Sequence, residues 1–550
     1  MSQAKQTVPQ TVPHYDAIII GAGIAGMYQL YRLRELGMNV RVFEHGSDVG
    51  GTWYWNRYPG ARFDSESYSY GYSWSKELLQ EWSWKEHFSP QPDNMEYLDL
   101  VARKFDMRKD ITFNAFVTAA TYDEAANEWE IKTEQGERAR ARFLITAVGI
   151  LSATQLPRVP GIGNFKGIAF HTSRWPKAET GFGGKDIGMK GKRVGVIGTG
   201  ATGVQLIQEV AKVAGHLSVF QLAPEFCAPL RNAKITDEEQ AKIKSSYDEI
   251  FEKCKNASAG FIHDFVMKSA LEVPAAEREA FFEYLYARPG FEKWFGNYYD
   301  IMTDRKANDL ITEFISNKIR SRVKDPVLAE KLIPKNHGFG LRRVPMETNY
   351  YEVYNQPNVT LVDLRETPIQ EIVANGVKTS EKVHELDILI YATGFDAVTG
   401  SFTRMDITGK GGQKLKDKWA DGPRTLLGIG GNGFPNFLTL VGPHNGATFC
   451  NIPRCIEQNV EWVSDLMKYM RDKKLSRLEP SKAAEDVWTA HVGETIQSSL
   501  LSQTDSWFMG QNLNMPEKKR GFLLYAGGSQ AYRAKCEEVA SKNYEGFDLS

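Results

Sequence analysis

The chain has 550 residues, a length that suits roughly three or four domains. Its hydrophobic fraction of 42% and charged fraction of 25% are those of an ordinary globular protein with a full-sized core. Lys and Arg number 67 and Asp and Glu 68, a balance that gives no sign of a nucleic-acid or anionic-membrane partner.

Residues 1–14, MSQAKQTVPQTVPH, are polar and read as a disordered tail, without the apolar stretch of a signal peptide. DAIII, residues 16–20, is an apolar run of buried-strand type, far too short to span a bilayer. GAGIAG follows, then an amphipathic helix through MYQLYRLRELG and a second strand in NVRVFEH, which together make a strand–helix–strand unit. Gly21-x-Gly23-x-x-Gly26 lets the backbone turn tightly and approach a pyrophosphate, where the helix start offers unpaired N–H groups and a partial positive charge. Glu44 closes the second strand eighteen positions after Gly26, a place from which a carboxylate accepts hydrogen bonds from ribose hydroxyls. The competing reading is a glycine turn with no ligand; strand, helix and acid together favour an adenine dinucleotide.

The stretch FKGIAFHTSRWP, residues 165–176, has spacings that suit neither a helix nor a strand. Beyond it the first pattern recurs at KRVGVIG-TGATGVQLIQEVAKVAG-HLSVFQ, residues 192–221, with Gly198-x-Gly200-x-x-Gly203 at its turn. The strand after this second turn ends in Val219-Phe220-Gln221-Leu222, with neither an acid for a free ribose nor an arginine for a 2′-phosphate. Two dinucleotide sites in one polypeptide point to electron transfer between two cofactors. Between about Ile235 and Lys335 helical spacing dominates, which reads as an insertion; strand texture returns at NVTLVDL and DILIYATGF, and helical texture at CIEQNVEWVSDLMKYMRDK. The five cysteines, Cys227, Cys254, Cys450, Cys455 and Cys536, are odd in number and form no CxxC. Reduced, buried thiols in a cytoplasmic protein are therefore expected, with neither a disulfide framework nor a metal site.

Phe165-x-Gly167-x-x-x-His171-x-x-x-Trp175-Pro176, set between two GxGxxG turns, resembles the fingerprint of type I Baeyer–Villiger monooxygenases. The run Gly50-Gly51-Thr52-Trp53-Tyr54-Trp55-Asn56-Arg57-Tyr58-Pro59-Gly60-Ala61-Arg62 belongs to the same resemblance. So do Arg342-Arg343 with Thr348-Asn349-Tyr350, Ala392-Thr393-Gly394 and Ser506-Trp507-Phe508. The resemblance covers nearly the whole chain after the tail. It implies an α/β fold with two Rossmann-like dinucleotide-binding domains, one for FAD and one for NADP, and a helical insertion in the NADP domain. The implied boundaries are 15–150 and 387–550 for the FAD domain, 151–225 and 336–386 for the NADP domain, and 226–335 for the insertion.

The implied reaction is reduction of FAD by NADPH, then capture of O2 as a C4a-peroxyflavin that attacks a ketone and yields an ester or lactone. By match to the family, Arg343 is the catalytic cation and Asp64 the carboxylate that holds it; by composition alone Arg343 would pass for a surface charge. A guanidinium stays protonated and offers several donors in one plane, which suits it to hold an anionic oxygen. For FAD the match carries over Gly21, Gly23, Gly26, Glu44, Thr52, Trp53, Tyr54, Trp55, Asp64, Tyr70, Val117 and Ile452. For NADP it carries over Arg62, Gly198, Thr199, Gly200, Ala201, Thr202, Gly203, Gln205, Arg342, Arg343 and Trp507. Arg342 is expected on the 2′-phosphate, and Trp507, by itself equally a core aromatic, at the nicotinamide ribose. Phe165, Gly167, His171, Trp175 and Pro176 lie on a linker, with His171 expected as a hinge residue; alone it would pass for a satisfied structural histidine.

One departure stands out: the family's Arg-Thr or Arg-Ser after the second-domain strand is Leu222-Ala223 here. Charge-assisted phosphate contacts contribute about 1.5–3 kcal/mol each, so NADPH is expected to be favoured through Arg342 with NADH tolerated. The competing functions are a flavin-containing monooxygenase acting on sulfur or nitrogen, and a non-catalytic nucleotide-binding protein. A disulfide reductase would need a CxxC pair. The expected partners are a ketone and O2, with no nucleic acid or membrane; the particular ketone and the oligomeric state are not legible.

Overall fold

The computed structural model describes residues 12–179, 181–446, 450–512, 514–515 and 518–550. Strand β1 (His14–Ile20), helix α1 (Ile24–Glu35) and strand β2 (Val40–Phe43) form the first unit, and the short helix α2 (Thr52–Trp55) follows it. Strands β3 (Ile111–Thr112), β4 (Val117–Asp123), β5 (Glu128–Thr133) and β6 (Arg138–Thr146) come next. The second unit is made by β7 (Ile168–His171), β8 (Arg193–Ile197), α3 (Ala201–Val210) and β9 (His216–Gln221). After the helical segment come β10 (Val359–Asp363), β11 (Ile388–Tyr391), β12 (Asp406–Thr408), β13 (Phe437–Thr439) and the long helix α4 (Ile452–Asp472).

Two sheets result. The first is eight-stranded in the order β12-β4-β5-β6-β1-β2-β3, with β13 also pairing β6. β6 serves three neighbours because it is long: its first half pairs antiparallel with β5 and its last residues, Leu144–Thr146, pair parallel with β13. The second sheet is five-stranded, β10-β9-β8-β11-β7, and all its pairs are parallel. Ile18, Ile19, Val194 and Val196 are wholly buried, as expected of parallel strands covered on both faces.

The two units repeat the same close contacts at the first and last glycine of each turn. Gly21 has φ +105° and Gly198 φ +109°; a Cβ there would lie 2.5 Å from the Ala147 carbonyl oxygen and 2.4 Å from that of Ala392. At Gly26 and Gly203 a Cβ would fall 1.8 Å and 2.2 Å from the carbonyl oxygens of Gly21 and Gly198. Any side chain at these four positions would force each helix off its strand, so the turn keeps its shape only with glycine.

Between β9 and β10 lie six α-helices, among them Asp237–Ser245, Ala275–Ala287 and Arg305–Arg322. Ala228–Pro229, at the start of the span expected as a helical insertion, pairs with Met346–Glu347 in a two-stranded ribbon. Two further expectations are corrected. The tail was expected through residue 14, but His14 already pairs with Arg140 in the first sheet; residues 1–11 lie outside the described residues. The boundary at 387 would assign β11 to the first domain, yet Ile388–Tyr391 pairs with β8 and β7 of the second sheet. An apolar run of four carries no mark of which sheet it joins. Among the described residues no helix is long and apolar enough to cross a membrane.

Candidate functional site

The first glycine turn faces a second one. Gly50 N–H donates to the Ala22 carbonyl at 3.0 Å, and a Cβ on Gly51 would lie 2.8 Å from Gly23 Cα, so two bare backbone turns meet at the start of α1. Gly23 caps α1 without a side-chain bond, which leaves the helix N–H groups to an outside acceptor. Glu44 is buried beside them; its carboxylate accepts from Ala22 N–H at 2.7 Å and Gly46 N–H at 2.6 Å. Burial pushes the Glu44 pKa up against the pull of those two N–H groups. Open turn, helix start and anchored acid fit a dinucleotide with its pyrophosphate at the glycines and its ribose at Glu44.

Helix α2, capped by Gly51, aims its aromatics around this turn. Trp53 is buried and donates from Nε1 to Tyr70 Oη at 3.1 Å, while the Tyr70 ring stacks on Phe63 at 4.1 Å. Tyr54 is half-buried with its hydroxyl 2.9 Å from Ser47 Oγ, Trp55 is half-buried and Thr52 exposed. Ile452 opens α4, and its neighbour Asn451 donates to Ser69 Oγ at 3.1 Å, which ties α4 to the turn carrying Tyr70. Val117 is buried in a separate apolar cluster that includes Ile18 and Phe43.

Asp64 and Arg343 meet. Arg343 Nη2 lies 2.6 Å from Asp64 Oδ2; the acid's side chain is 0% exposed and the arginine's 29%. Asp64 also accepts from Met346 N–H and from Gln205 Nε2, each at 3.3 Å. The guanidinium sits 5.7 Å above the Phe291 ring, an aromatic platform from the helical segment that the sequence did not reveal. Gln205, on α3, joins the two units: it accepts from Tyr58 Oη at 2.8 Å and donates to the Arg62 carbonyl at 3.0 Å.

At the second glycine turn Thr199 Oγ1 donates to the Ala223 carbonyl at 2.9 Å, and the space beside Gly200 is open. Ala201 and Thr202, half-buried, begin α3 next to it. Two side chains expected at this nucleotide have protein partners in the structure. Arg342 points at Glu225, Nη1 to Oε1 at 3.0 Å, so an acid does stand near the end of β9. It follows the strand by four residues and not one, so spacing from the strand end does not mark it. Arg62 donates to Glu86 and to the Phe88 carbonyl, both at 3.0 Å, and so is already partnered. Trp507 is half-buried in the turn Trp507–Met509, its ring 4.4 Å from that of Phe508.

The 165–176 stretch runs from one unit to the other. Phe165 is buried in the second unit's core with Ile197 and Leu389, and a Cβ on Gly167 would strike the Asp387 carbonyl at 2.3 Å. His171 ends β7. Its Nδ1 accepts from Ser173 N–H at 3.2 Å, so the proton sits on Nε2, which donates to the Gly394 carbonyl at 3.0 Å. Burial holds this imidazole neutral and pushes its pKa down to about 4. Four residues on, Trp175 is buried with Nε1 on the Lys185 carbonyl, and Lys185 N–H returns to the Pro176 carbonyl. Arg174 lies 4.4 Å over the Trp55 ring, and Arg57 reaches the Trp175 carbonyl at 3.5 Å. The string thus fastens the second sheet to the aromatic turn of the first unit.

The thiol expectation is corrected as well. Cys450 and Cys455 form a disulfide, because α4 begins at Ile452 and its first turn brings Cys455 back to a Cα separation of 6.8 Å. Cys227, Cys254 and Cys536 are free and buried.

The family model for flavin-binding monooxygenase-like proteins matches residues 16–222. The chain is 47% identical to the 2-oxo-Δ3-4,5,5-trimethylcyclopentenylacetyl-CoA monooxygenase of Pseudomonas putida, over 98% of this chain and 99% of that protein. It is 42% identical to a Baeyer–Villiger monooxygenase of Pseudooceanicola batsensis, over 96% of this chain and 95% of the relative. A crystal structure of OTEMO in complex with FAD and NADP superposes with a TM-score of 0.95 at 47% identity, covering 98% of this chain and 100% of that one.

Proposed function

Because the chain belongs to the Baeyer–Villiger branch of the flavin-binding monooxygenases, we propose that its Asp64–Arg343 pair is the catalytic centre for oxygen insertion beside a ketone carbonyl. The protein is an FAD- and NADPH-dependent monooxygenase. Ketone, O2, NADPH and a proton give ester or lactone, NADP+ and water. Bound FAD, once reduced, supplies the activated oxygen.

The chain's own residues do the rest. Glu44 takes the ribose of FAD, and the glycine turns at 21–26 and 50–51 lay bare backbone against its pyrophosphate. The turn at 198–203 receives NADPH in the same way. Arg343 offers a permanent charge whose inner face is braced by Asp64 and whose ring platform is Phe291. A cation already in place needs no reorganisation when negative charge appears on oxygen, and it acts more strongly where water is excluded. Asp64, wholly buried, fixes the direction of that charge. His171 is neutral and so adds no competing charge; it pins β7 to Gly394, where a hinge between the units would turn.

The observation that carries this reading is the 2.6 Å contact between two residues so far apart in sequence. A braced cation serves an anionic oxygen attacking a carbonyl, which favours ketones over sulfur or nitrogen substrates. The test uses a panel of cyclic, aromatic and aliphatic ketones, with ester identified by mass after incorporation of labelled O2. Arg343→Ala is expected to be reduced by NADPH as the parent is and to form no ester. Ester formation by that variant would remove Arg343 from the reaction.

A further inference from the structure

In a dinucleotide-binding unit the ribose meets the protein where the second strand ends. In the first unit that place belongs to Glu44. In the second, Gln221 is buried with its amide committed to the Lys331 carbonyl at 2.8 Å, and Leu222 is an exposed apolar side chain. The next polar side chain is Glu225. The bond from Thr199 to the Ala223 carbonyl holds this loop against the glycine turn, so Glu225 stands two residues from a direct contact with the phosphate-binding backbone.

Glu225 and Arg342 pair incompletely. Glu225 Oε1 takes one bond from Arg342 Nη1, and Oε2 lies 3.1 Å from His337 Nε2. Yet Oε2 is buried and makes no hydrogen bond, and Arg342 Nε is buried and makes none. Oε2 thus has only the His337 ring beside it and Arg342 Nε has no acceptor, so a group that both donates and accepts would complete the pair. A hydroxyl is donor and acceptor at once; a phosphate only accepts and would bring negative charge against the Glu225 carboxylate.

We infer that Glu225 is a specificity-determining residue of the pyridine-nucleotide site: it occupies Arg342 and welcomes a free 2′-hydroxyl, so the protein takes NADH alongside NADPH. This rests on the assignment of the second glycine unit to the pyridine nucleotide. Leu222 acts in the same direction, since it brings no cation to a 2′-phosphate.

Binding, not turnover, tests it. Calorimetry on the FAD-loaded enzyme gives Kd for adenosine 2′,5′-bisphosphate and for 5′-AMP, and their ratio reports the 2′-phosphate alone. Glu225→Gln keeps the shape and removes the charge; it should move the ratio toward the bisphosphate by fivefold or more. A smaller shift, or a shift the other way, overturns the proposal. Flavin absorbance verifies that the variant is folded, and Glu225→Ser, read identically, replaces it if it is not. Failure of both ligands to bind the parent enzyme would overturn the site assignment and this proposal with it, whatever the outcome of the ketone assay.

Discussion

Asp64→Asn is the most direct probe of the proposed catalytic pair. All three groups that contact the Asp64 carboxylate are donors: Arg343 Nη2, Met346 N–H and Gln205 Nε2. A carboxylate accepts from all of them, whereas an asparagine of the same shape has one oxygen and must turn its NH2 toward at least one donor. The variant therefore loses both the charge and a bond. A hydrogen bond to a charged group contributes about 1.5–3 kcal/mol, which at 1.4 kcal/mol per decade is roughly 10- to 150-fold in rate. Arg343 is 29% exposed, and water replaces part of what is lost, so the lower end of that range, about tenfold, is expected. The assay follows flavin reduction by NADPH under anaerobic conditions and, separately, ester formed per NADPH consumed. Reduction should be unchanged and the ester yield should fall. A variant that makes ester at the parental rate would show that Arg343 needs no brace, and the electrostatic argument would fail.

Gly203→Ala sets a methyl 2.2 Å from the Gly198 carbonyl and should abolish flavin reduction by NADPH while the protein remains yellow; retained reduction at parental nucleotide affinity would contradict the turn geometry. His171 and His444 are both pushed down to about 4 by burial, below the ordinary value of 6.5. The unfolded chain then binds more protons than the native one between those values, so stability is full above about 6.5 and falls as the pH drops toward 4. Melting temperatures across that window should show this slope, and His171→Gln should make it shallower; an unchanged slope would mean that His171 does not titrate on unfolding. Thiol counting on unfolded protein should find 3 reactive groups before reduction, those of Cys227, Cys254 and Cys536, and all five after it.

The parts of this molecule that the sequence made legible are those whose physics is local. Strand, glycine turn and helix follow one another within a few residues, so both units could be placed from spacing and hydrophobic pattern. Glu44 was legible because the first turn puts its acid at the strand's last step. Glu225 was not: it follows β9 by four residues in a loop held by the Thr199–Ala223 bond, and spacing along the chain does not measure that. The Asp64–Arg343 contact joins distant segments, and only the family resemblance pointed to it. Phe291 had no signal at all, being one of 29 phenylalanines. The sheet membership of β11 is illegible too, since Ile388–Tyr391 is apolar and buried along its whole length and any parallel sheet would take it. The disulfide depends on where α4 starts, which a count of cysteines cannot supply.

Gln205 stands on the helix that opens at the nucleotide turn, yet its amide touches Tyr58, the Arg62 backbone and Asp64 in the other unit. If the second turn takes the reductant and Arg343 steadies the oxygen, as proposed, one side chain links the two places. A shift of α3 would carry Gln205 with it and alter the contacts under Asp64, so loading at one end would be felt at the other with every residue there unchanged.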